Sequence, residues 1–482
     1  MWRRLSSALL AGLALACAPA GRAAGPPRTG GTEAQDAGLE AALAVPALRG
    51  AQIAALVVNA ADGGLRFERD PDRPLVPASN LKLLTAVAAL ATLGPSYRFV
   101  TRILADSPPD AAGQVGTLYV RGGGDPALAS EDWWRLAADL RRAGVRGARR
   151  LVVDDSAFDR ERWHPSWGPV SSRAYFAPIG ALMANYGAFL VDVRPGAREG
   201  DPGGVSVDPP VAYLRLVNRT TTGPVGSAFE VQVERSQGDG EEPVLVSGRV
   251  PLGGAVQSFR RSVLDPTAYA AAVLVMALEA NDIRVLEPPQ AASVPAGAVE
   301  LLTFEGRSLG EIVRLMLKYS SNPIAETLTK ALSAARGEDP AGWAGGVAAS
   351  RAALVGLGVE VGGLEMVDGS GLSYENRVSP RTLVSVLGVA RRSFAFGPEL
   401  LVALPIAGSD GTLRDRAQEV RGEVRAKSGL LTRVVALSGE ARMRAGGDVV
   451  FSILVNGYRC SDEEAMRALD GFVAVLVEEQ PH

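Results

Sequence analysis

The chain has 482 residues, with 50 Lys or Arg against 53 Asp or Glu, so its net charge of −3 offers no basic excess for nucleic acid. It has two cysteines and two histidines, too few for a structural zinc site of Cys and His ligands, and neither a metal nor another cofactor is predicted. Lysine occurs only at Lys82, Lys318, Lys330 and Lys427. A buried lysine can lose its proton and act as a base, whereas arginine cannot, so each lysine is a candidate for chemistry.

Residues 1–24 are predicted to be a signal peptide, with a basic start at Met1–Arg4, an apolar stretch over Leu5–Ala16, and small residues after it. Ala14-Leu15-Ala16-Cys17 also resembles a bacterial lipoprotein signal, whose cysteine is acylated and becomes the mature N-terminus. Ordinary cleavage and lipid anchoring at Cys17 both stay open. No later segment offers about 18 uninterrupted apolar residues, the length that a membrane span needs. We expect export to the periplasm or cell envelope, with membrane contact only through such an anchor.

The predicted elements change in type along the chain. Strands at 53–58 and 64–69 are followed by a helix over 80–93 that ends at Gly94-Pro95. Short β-type runs then follow, at 117–121, 150–153, 212–217, 229–233 and 244–250. Helices are predicted after Asp265-Pro266, at 267–280, 308–317, 323–335 and 343–357. The last predicted elements are strands at 423–427, 431–442 and 449–456 and a helix over 463–478.

This order predicts an α/β (α+β) domain that is split in sequence. Its two parts are residues 25–97 and 262–482, and a β-rich inserted region over 98–261 separates them. The fold class predicted is therefore a central antiparallel sheet with helices, interrupted by the insert.

Ser79-Asn80-Leu81-Lys82 places a serine and a lysine three residues apart at a predicted helix start. Residues i and i+3 lie on the same helix face, so the amine of Lys82 can reach the hydroxyl of Ser79. A neutral lysine there can activate the serine without histidine, and burial or a second nearby cation would lower its pKa.

Two further motifs complete a specific order. Ser320-Ser321-Asn322 follows one predicted helix and precedes another, which offers a second hydroxyl and a substrate-binding amide; taken alone it is more often a helix cap. Lys427-Ser428-Gly429 lies on a predicted strand, where an extended peptide can pair and its carboxylate can be held. Each motif is weak alone, but Ser-x-x-Lys, Ser-x-Asn and Lys-Ser-Gly in this order are together a specific signal.

With these motifs the chain resembles the penicillin-recognising serine peptidases, and in particular the D-alanyl-D-alanine carboxypeptidase/D-alanyl-D-alanine-endopeptidase family of low-molecular-mass class C penicillin-binding proteins. Further stretches similar to the family are Gly122–Pro126, Asp154–Phe158, Asp368–Leu372, Leu404–Gly408 and Leu437–Gly439. The long interval between Ser79 and Ser320 matches the inserted domains of that family. Three departures are Ser428 where threonine is usual, Leu430 where threonine is common, and Glu440 where tyrosine is frequent.

The resemblance implies a β-lactamase/transpeptidase-like fold and hydrolysis of D-alanyl-D-alanine bonds in peptidoglycan peptides and cross-links through an acyl-serine. It assigns the nucleophile to Ser79, the general base to Lys82, and proton transfer to the leaving amine to Ser320 with Lys427. Asn322, Ser428 and Gly429 would bind substrate, and the backbone of Leu430 would help to stabilise the oxyanion. β-Lactam antibiotics would acylate Ser79 in the same way.

Asp154 matches an acidic position that lies near the free amine of the substrate in the family. The alternative is an ordinary turn aspartate after a strand. For the whole chain, the alternatives are a β-lactamase, against which the long insert argues, and a non-catalytic peptidoglycan-binding protein, against which the intact motifs argue.

Overall fold

The computed structural model describes residues 33–478. The predicted signal peptide, with Cys17, lies outside the described residues. The helices, in chain order, are α1 (Glu33–Leu43), α2 (Lys82–Leu93), α3 (Ser130–Arg142), α4 (Pro266–Glu279), α5 (Leu309–Tyr319), α6 (Asn322–Ala335), α7 (Trp343–Gly356), α8 (Pro380–Arg392), α9 (Gly397–Ala403) and α10 (Asp462–Glu478).

The strands are listed in the same order. They are β1 (Gln52–Asn59), β2 (Leu65–Arg69), β3 (Arg98–Ala105), β4 (Gln114–Arg121), β5 (Gly147–Asp154), β6 (Ala188–Arg194), β7 (Gly204–Asp208), β8 (Leu214–Gly223), β9 (Glu230–Arg235), β10 (Glu242–Pro251), β11 (Gln257–Ser262), β12 (Arg284–Val285), β13 (Gln290–Ala291), β14 (Val299–Ser308), β15 (Val424–Leu431), β16 (Val434–Arg442) and β17 (Asp448–Asn456).

A central antiparallel sheet joins the two ends of the chain in the order β15-β16-β17-β1-β2. Alternate residues of β1 point to its two faces, as the period of a strand requires. Ala54 and Leu56 face the core that contains α2, α5 and α6, while Ala55 and Val57 face the core under α1 and α10. The predicted fold class, a central antiparallel sheet with helices and a β-rich insert, is confirmed.

Local capping interactions and one glycine define where several helices begin or end. Asp265 accepts the backbone N–H groups of Thr267 and Ala268 at the start of α4. Ser308 and Glu311 form a reciprocal capping box at the start of α5. α2 ends where Gly94 adopts a positive φ of 83°, a conformation that glycine reaches without a Cβ penalty.

The inserted region extends further along the chain than the predicted boundary at residue 261. β14 pairs with β3 in the sheet β12-β5-β4-β3-β14, and the core of this region continues to Phe304. α3 and α4 pack together in that core. The sequence prediction ended the insert where helical patterns return. However, α4 packs in the core of the insert and not in the central domain. We therefore place the insert at about residues 98–308.

None of the helices within residues 33–478 combines the length and apolar character that crossing a membrane requires.

Candidate active site

Three chain segments meet beside the end strand of the central sheet. Ser79 lies in a 3-10 helix, Ala78–Leu81, that leads directly into α2, and Lys82 is the first residue of α2. Ser320 ends α5 and Asn322 begins α6, so the turn between these helices carries the second motif. Lys427 lies in β15. The structure thus brings together Ser79, Lys82, Ser320, Asn322 and Lys427, which we call the serine–lysine cluster.

The amine of Lys82 is the centre of this cluster. Its Nζ lies 2.9 Å from Ser79 Oγ, 2.7 Å from Asn322 Oδ1 and 2.8 Å from the backbone oxygen of Ser370. A neutral amine has two N–H donors and one lone pair. It can therefore donate to Asn322 and Ser370 while its lone pair accepts the proton of the Ser79 hydroxyl.

Burial makes that neutral form accessible. The Lys82 side chain is fully buried, and this desolvation lowers its pKa to about 7, against the opposing attraction of the Glu326 and Asp368 carboxylates. Removing a lysine from water disfavours its charged form, which is the cause of the shift. A base with a pKa near neutrality is suited to proton transfer at physiological pH.

A second lysine–serine pair faces the first. Lys427 Nζ donates to Ser320 Oγ at 2.9 Å and to the backbone oxygen of Ser428 at 2.6 Å. Burial, with the positive charges of Lys82 and Arg416, lowers the pKa of Lys427 well below its ordinary value. The lowered pKa favours the neutral amine of Lys427, and a bound carboxylate would stabilise its protonated form.

The local backbone sets the position of Ser320. It adopts a left-handed conformation, with φ 54° and ψ 38°, at the end of α5. A non-glycine residue in this region is strained, and such strain persists where the surrounding structure holds it. Here the next residue, Ser321, caps α6 through the Ile324 N–H, while the hydroxyl of Ser320 is held by Lys427.

The remaining residues of the third motif lie along β15. Ser428 Oγ donates to Thr412 Oγ1 at 2.8 Å, and the Leu430 side chain is 45% exposed. A Cβ on Gly429 would lie 2.8 Å from the backbone oxygen of Pro77, which directly precedes the serine turn. Asn80 Nδ2 donates to the backbone oxygen of Lys427 at 3.1 Å and joins the turn to the strand.

β15 is an edge strand of the central sheet. Among the described residues, its outer side carries an isolated bridge from Ile406 to Arg425 and no neighbouring strand. An extended peptide can pair with such an edge through its main chain.

A buried loop supports Lys82 from behind. Glu326 accepts the N–H groups of Gly369 and Ser370 at 3.0 and 2.8 Å, and burial raises its pKa to about 7. Asp368 accepts from Gly371 and from the indole of Trp167, at 2.9 and 3.0 Å. The loop 368–372 thereby holds the carbonyl of Ser370 against Lys82.

Sequence reasoning assigned no role to Glu326. One signal was available, because Glu326 is four residues after Asn322 and lies on the same face of a helix that is apolar around it. It also missed Tyr175, whose backbone oxygen accepts from Asn322 Nδ2 at 3.1 Å and fixes that amide. Tyr175 belongs to the insert and is distant in sequence from all three motifs.

Asp154 does not join the serine–lysine cluster. It ends β5, is 3% exposed, and its two carboxylate oxygens accept the N–H groups of Ser156 and Val294, both at 2.9 Å. Arg121 lies 3.9 Å from the same carboxylate. These contacts all lie within the insert, and substrate binding by Asp154 stays a prediction.

The other two lysines have structural partners. Lys318 donates to the backbone oxygen of Leu404 and to Asp410, and Lys330 donates to Asp159 and lies 3.8 Å from the centroid of the Trp343 ring. Both are buried within the fold.

Comparison with known proteins identifies the family. The profile described as the D-Ala-D-Ala carboxypeptidase 3 (S13) family matches residues 35–478. The D-alanyl-D-alanine carboxypeptidase of Actinomadura sp. (strain R39) is 37% identical over 441 residues, which cover 87% of this chain and 80% of that protein.

Solved structures share the fold. Penicillin binding protein 4 (dacB) from Haemophilus influenzae matches with a TM-score of 0.78 at 25% identity, covering 91% of this chain and 98% of that one. Its complex with a novel β-lactam matches with a TM-score of 0.71 at 24% identity, over 91% and 97% of the two chains.

Proposed function

The chain belongs to the D-Ala-D-Ala carboxypeptidase 3 (S13) family, and its fold is that of a penicillin-binding protein. We propose that this peptidase is a serine-type enzyme that cleaves peptidoglycan stem peptides and their cross-links. The observation that carries this proposal is the buried Lys82 amine, 2.9 Å from Ser79 Oγ and with a pKa lowered to about 7.

In the first step, Ser79 Oγ attacks the carbonyl carbon between two D-alanines while Lys82 accepts the hydroxyl proton. The developing oxyanion is stabilised by the backbone N–H groups of Ser79 and Leu430. Each such donor typically contributes about 3–4 kcal/mol to the transition state. The use of a backbone group at Leu430 explains how leucine can occupy a position where the family commonly has threonine.

The tetrahedral intermediate then collapses as the carbon–nitrogen bond breaks. Ser320 gives its hydroxyl proton to the leaving amine, and the proton taken by Lys82 returns through the polar network that includes Lys427. The contact of 2.9 Å between Lys427 Nζ and Ser320 Oγ supports this path. The result is an acyl-enzyme on Ser79, which water hydrolyses to release the shortened peptide.

Substrate binding uses the edge of β15. The acyl-side peptide pairs with the strand and with the amide of Asn322, which Tyr175 and Lys82 hold in one orientation. Ser428 and Lys427 bind the carboxylate of the residue that leaves. For a carboxypeptidase this residue is terminal D-alanine; for an endopeptidase it is the amine-bearing residue of a second stem peptide.

We also propose that the protein acts after export, in the periplasm or cell envelope, where this substrate lies. The signal segment over residues 1–24 supports export, and Cys17 leaves an acylated form open. Loss of membrane association on Cys17→Ala would identify the anchored form; an unchanged distribution would identify the cleaved one.

The experiment that tests the function is analysis of muropeptides by mass spectrometry after incubation with the protein. We expect loss of terminal D-alanine from pentapeptides and conversion of cross-linked dimers into monomers. The same incubation with Ser79→Ala is the control and should leave both substrates intact. A wild-type product mixture identical to that control would refute the proposed activity on muropeptides. Rapid turnover of penicillin with no muropeptide product would instead favour a β-lactamase.

A further inference from the structure

A groove runs from the serine–lysine cluster into the insert. Its inner half is a cavity of about 550 Å³ whose lining includes Tyr319, Ser320, Tyr175 and Arg260. Its outer half, of about 570 Å³, is lined by Arg173, Ala174, Tyr175, Phe259, Arg260 and Arg261. The two cavities share the lining residues Ala174, Tyr175 and Arg260, so they adjoin each other. We call this the arginine groove.

The arginine groove carries positive charge without a neutralising acid. Within residues 33–478, none of Arg173, Arg260 and Arg261 forms an ion pair with a carboxylate. Arg173 and Arg261 are backbone partners in an antiparallel bridge, and like charges directly opposite each other destabilise such a pair. Burial, together with the charge of Arg173, lowers the pKa of Arg261. An anion bound between these side chains would relieve the repulsion.

The guanidinium of Arg261 is already held in place for such a ligand. Its Cζ lies 5.3 Å from the centroid of the Phe259 ring, and it donates to the backbone oxygens of Val233 and Arg260 at 3.2 and 3.1 Å. An arginine has five N–H donors, so others stay available to a ligand. A fixed, planar donor set matches the geometry of a carboxylate.

We propose that the arginine groove binds the carboxylates of the leaving-side stem peptide when the substrate is a cross-link. The inference rests on the proposed function, in which Ser320 protonates the leaving amine. Ser320, which would protonate the leaving amine, lines the inner half of the groove, so we assign the groove to the peptide that carries this amine. Stem peptides bear several free carboxylates, which complement Arg173, Arg260 and Arg261.

The length of the leaving group distinguishes removal of a terminal D-alanine from cleavage of a cross-link. A single D-alanine extends at most about 3.6 Å, so its carboxylate stays with Ser428 and Lys427. A stem peptide of several residues reaches beyond Tyr175 into the arginine groove. The arginines would therefore set the preference for cross-links over terminal D-alanine.

The test compares kcat/KM for a cross-linked muropeptide dimer and for a monomeric pentapeptide ending in D-alanyl-D-alanine. In Arg260→Ala, and in the double variant Arg173→Ala with Arg261→Ala, we expect the ratio of dimer to pentapeptide kcat/KM to fall about tenfold, mainly through KM on the dimer. Arg260→Lys should recover part of the ratio. Arg219→Ala, which removes an exposed arginine of β8 elsewhere in the insert, should leave the ratio at the wild-type value.

A dimer whose carboxyl groups are amidated, except the one that Ser428 and Lys427 would bind, identifies the ligand chemistry. Its cleavage should be insensitive to Arg260→Ala; a tenfold loss that persists on this substrate would overturn carboxylate recognition. An unchanged ratio in the arginine variants would overturn the inference as well. If the wild type releases D-alanine but leaves dimers intact, the inference fails while the carboxypeptidase stands; if it does neither, the proposed function fails with it.

Discussion

The amine nitrogen of Lys82 lies 2.9 Å from the hydroxyl oxygen of Ser79 and is fully buried. The two residues are one helical turn apart, which places them on the same face, and Asn322 and Ser370 also hold the amine. Burial lowers the pKa of Lys82 to about 7, so the amine can be neutral and accept the proton of the serine hydroxyl.

Replacing Lys82 by arginine keeps a positive charge but removes the base. Because general-base catalysis contributes about 10²–10⁴-fold, we expect the acylation rate with penicillin to fall by about 10³-fold in Lys82→Arg. Stopped-flow acylation with a fluorescent penicillin measures this rate. Lys318→Arg is the matched control, since arginine can keep the ion pair with Asp410. Acylation of Lys82→Arg at the wild-type rate would show that Lys82 is not the base.

The pH dependence of acylation follows from the same pKa. The amine must be neutral to accept a proton, and its neutral fraction increases as the pH rises through about 7. We expect the acylation rate to rise roughly tenfold per pH unit below the midpoint and to level off above it. The measurement is kcat/KM for D-alanine release at pH values from roughly two units below to two units above the Lys82 pKa of about 7. A rate that falls through the same interval would contradict the neutral base.

Glu326 acts on Lys82 by charge and on the loop 368–372 by hydrogen bonds. Its carboxylate opposes the effect of burial on the pKa of Lys82, so Glu326→Gln should move the midpoint of the pH–rate profile to lower pH. The amide cannot accept from both Gly369 and Ser370 as the carboxylate does, and we expect a loss of about 1–3 kcal/mol in the free energy of unfolding.

The matched control for Glu326 is Glu305→Gln, an exposed residue of β14. It should change neither the profile nor the stability. A midpoint that moves to higher pH in Glu326→Gln would show that the electrostatic coupling has the opposite sign.

Gly429 allows β15 to approach the serine turn. In Gly429→Ala the added Cβ would lie 2.8 Å from the backbone oxygen of Pro77 and 3.0 Å from Asn80 Nδ2, so the strand must move away from Ser79. We expect acylation to slow by about tenfold or more and stability to fall by about 1–3 kcal/mol.

Gly356→Ala in α7 is the comparison, because its Cβ would meet no atom within 4 Å. Its acylation rate should equal that of the wild type. Equal acylation rates for Gly429→Ala and the wild type would show that acylation does not depend on the close approach of β15 to the serine turn.

Motif order was enough to predict the central fold, since each motif belongs to an element with a clear local signal. The Ala/Leu-rich helix after Ser79 and the three C-terminal strands were predicted from composition and turn residues. The end of the insert was not predictable in this way. α4 has the local pattern of any apolar helix, and only its packing with α3 assigns it to the insert.

The supporting residues of the site were harder to predict than its motifs. Tyr175 holds Asn322 through a backbone oxygen, and every residue type has such an oxygen, so the sequence does not indicate this contact. Ser370 also acts through its carbonyl, against Lys82. The pattern Asp368–Leu372 was visible, but its role depends on buried contacts with Glu326 and Trp167 that sequence spacing does not encode.

The most direct test of the account is the intact mass of the protein after incubation with penicillin. We predict that the wild type gains the mass of one penicillin molecule, that peptide mapping places the adduct on Ser79, and that Ser79→Ala shows no adduct. A wild type that stays unmodified, or a Ser79→Ala variant that acquires the same adduct, would contradict the assignment of Ser79 as the nucleophile.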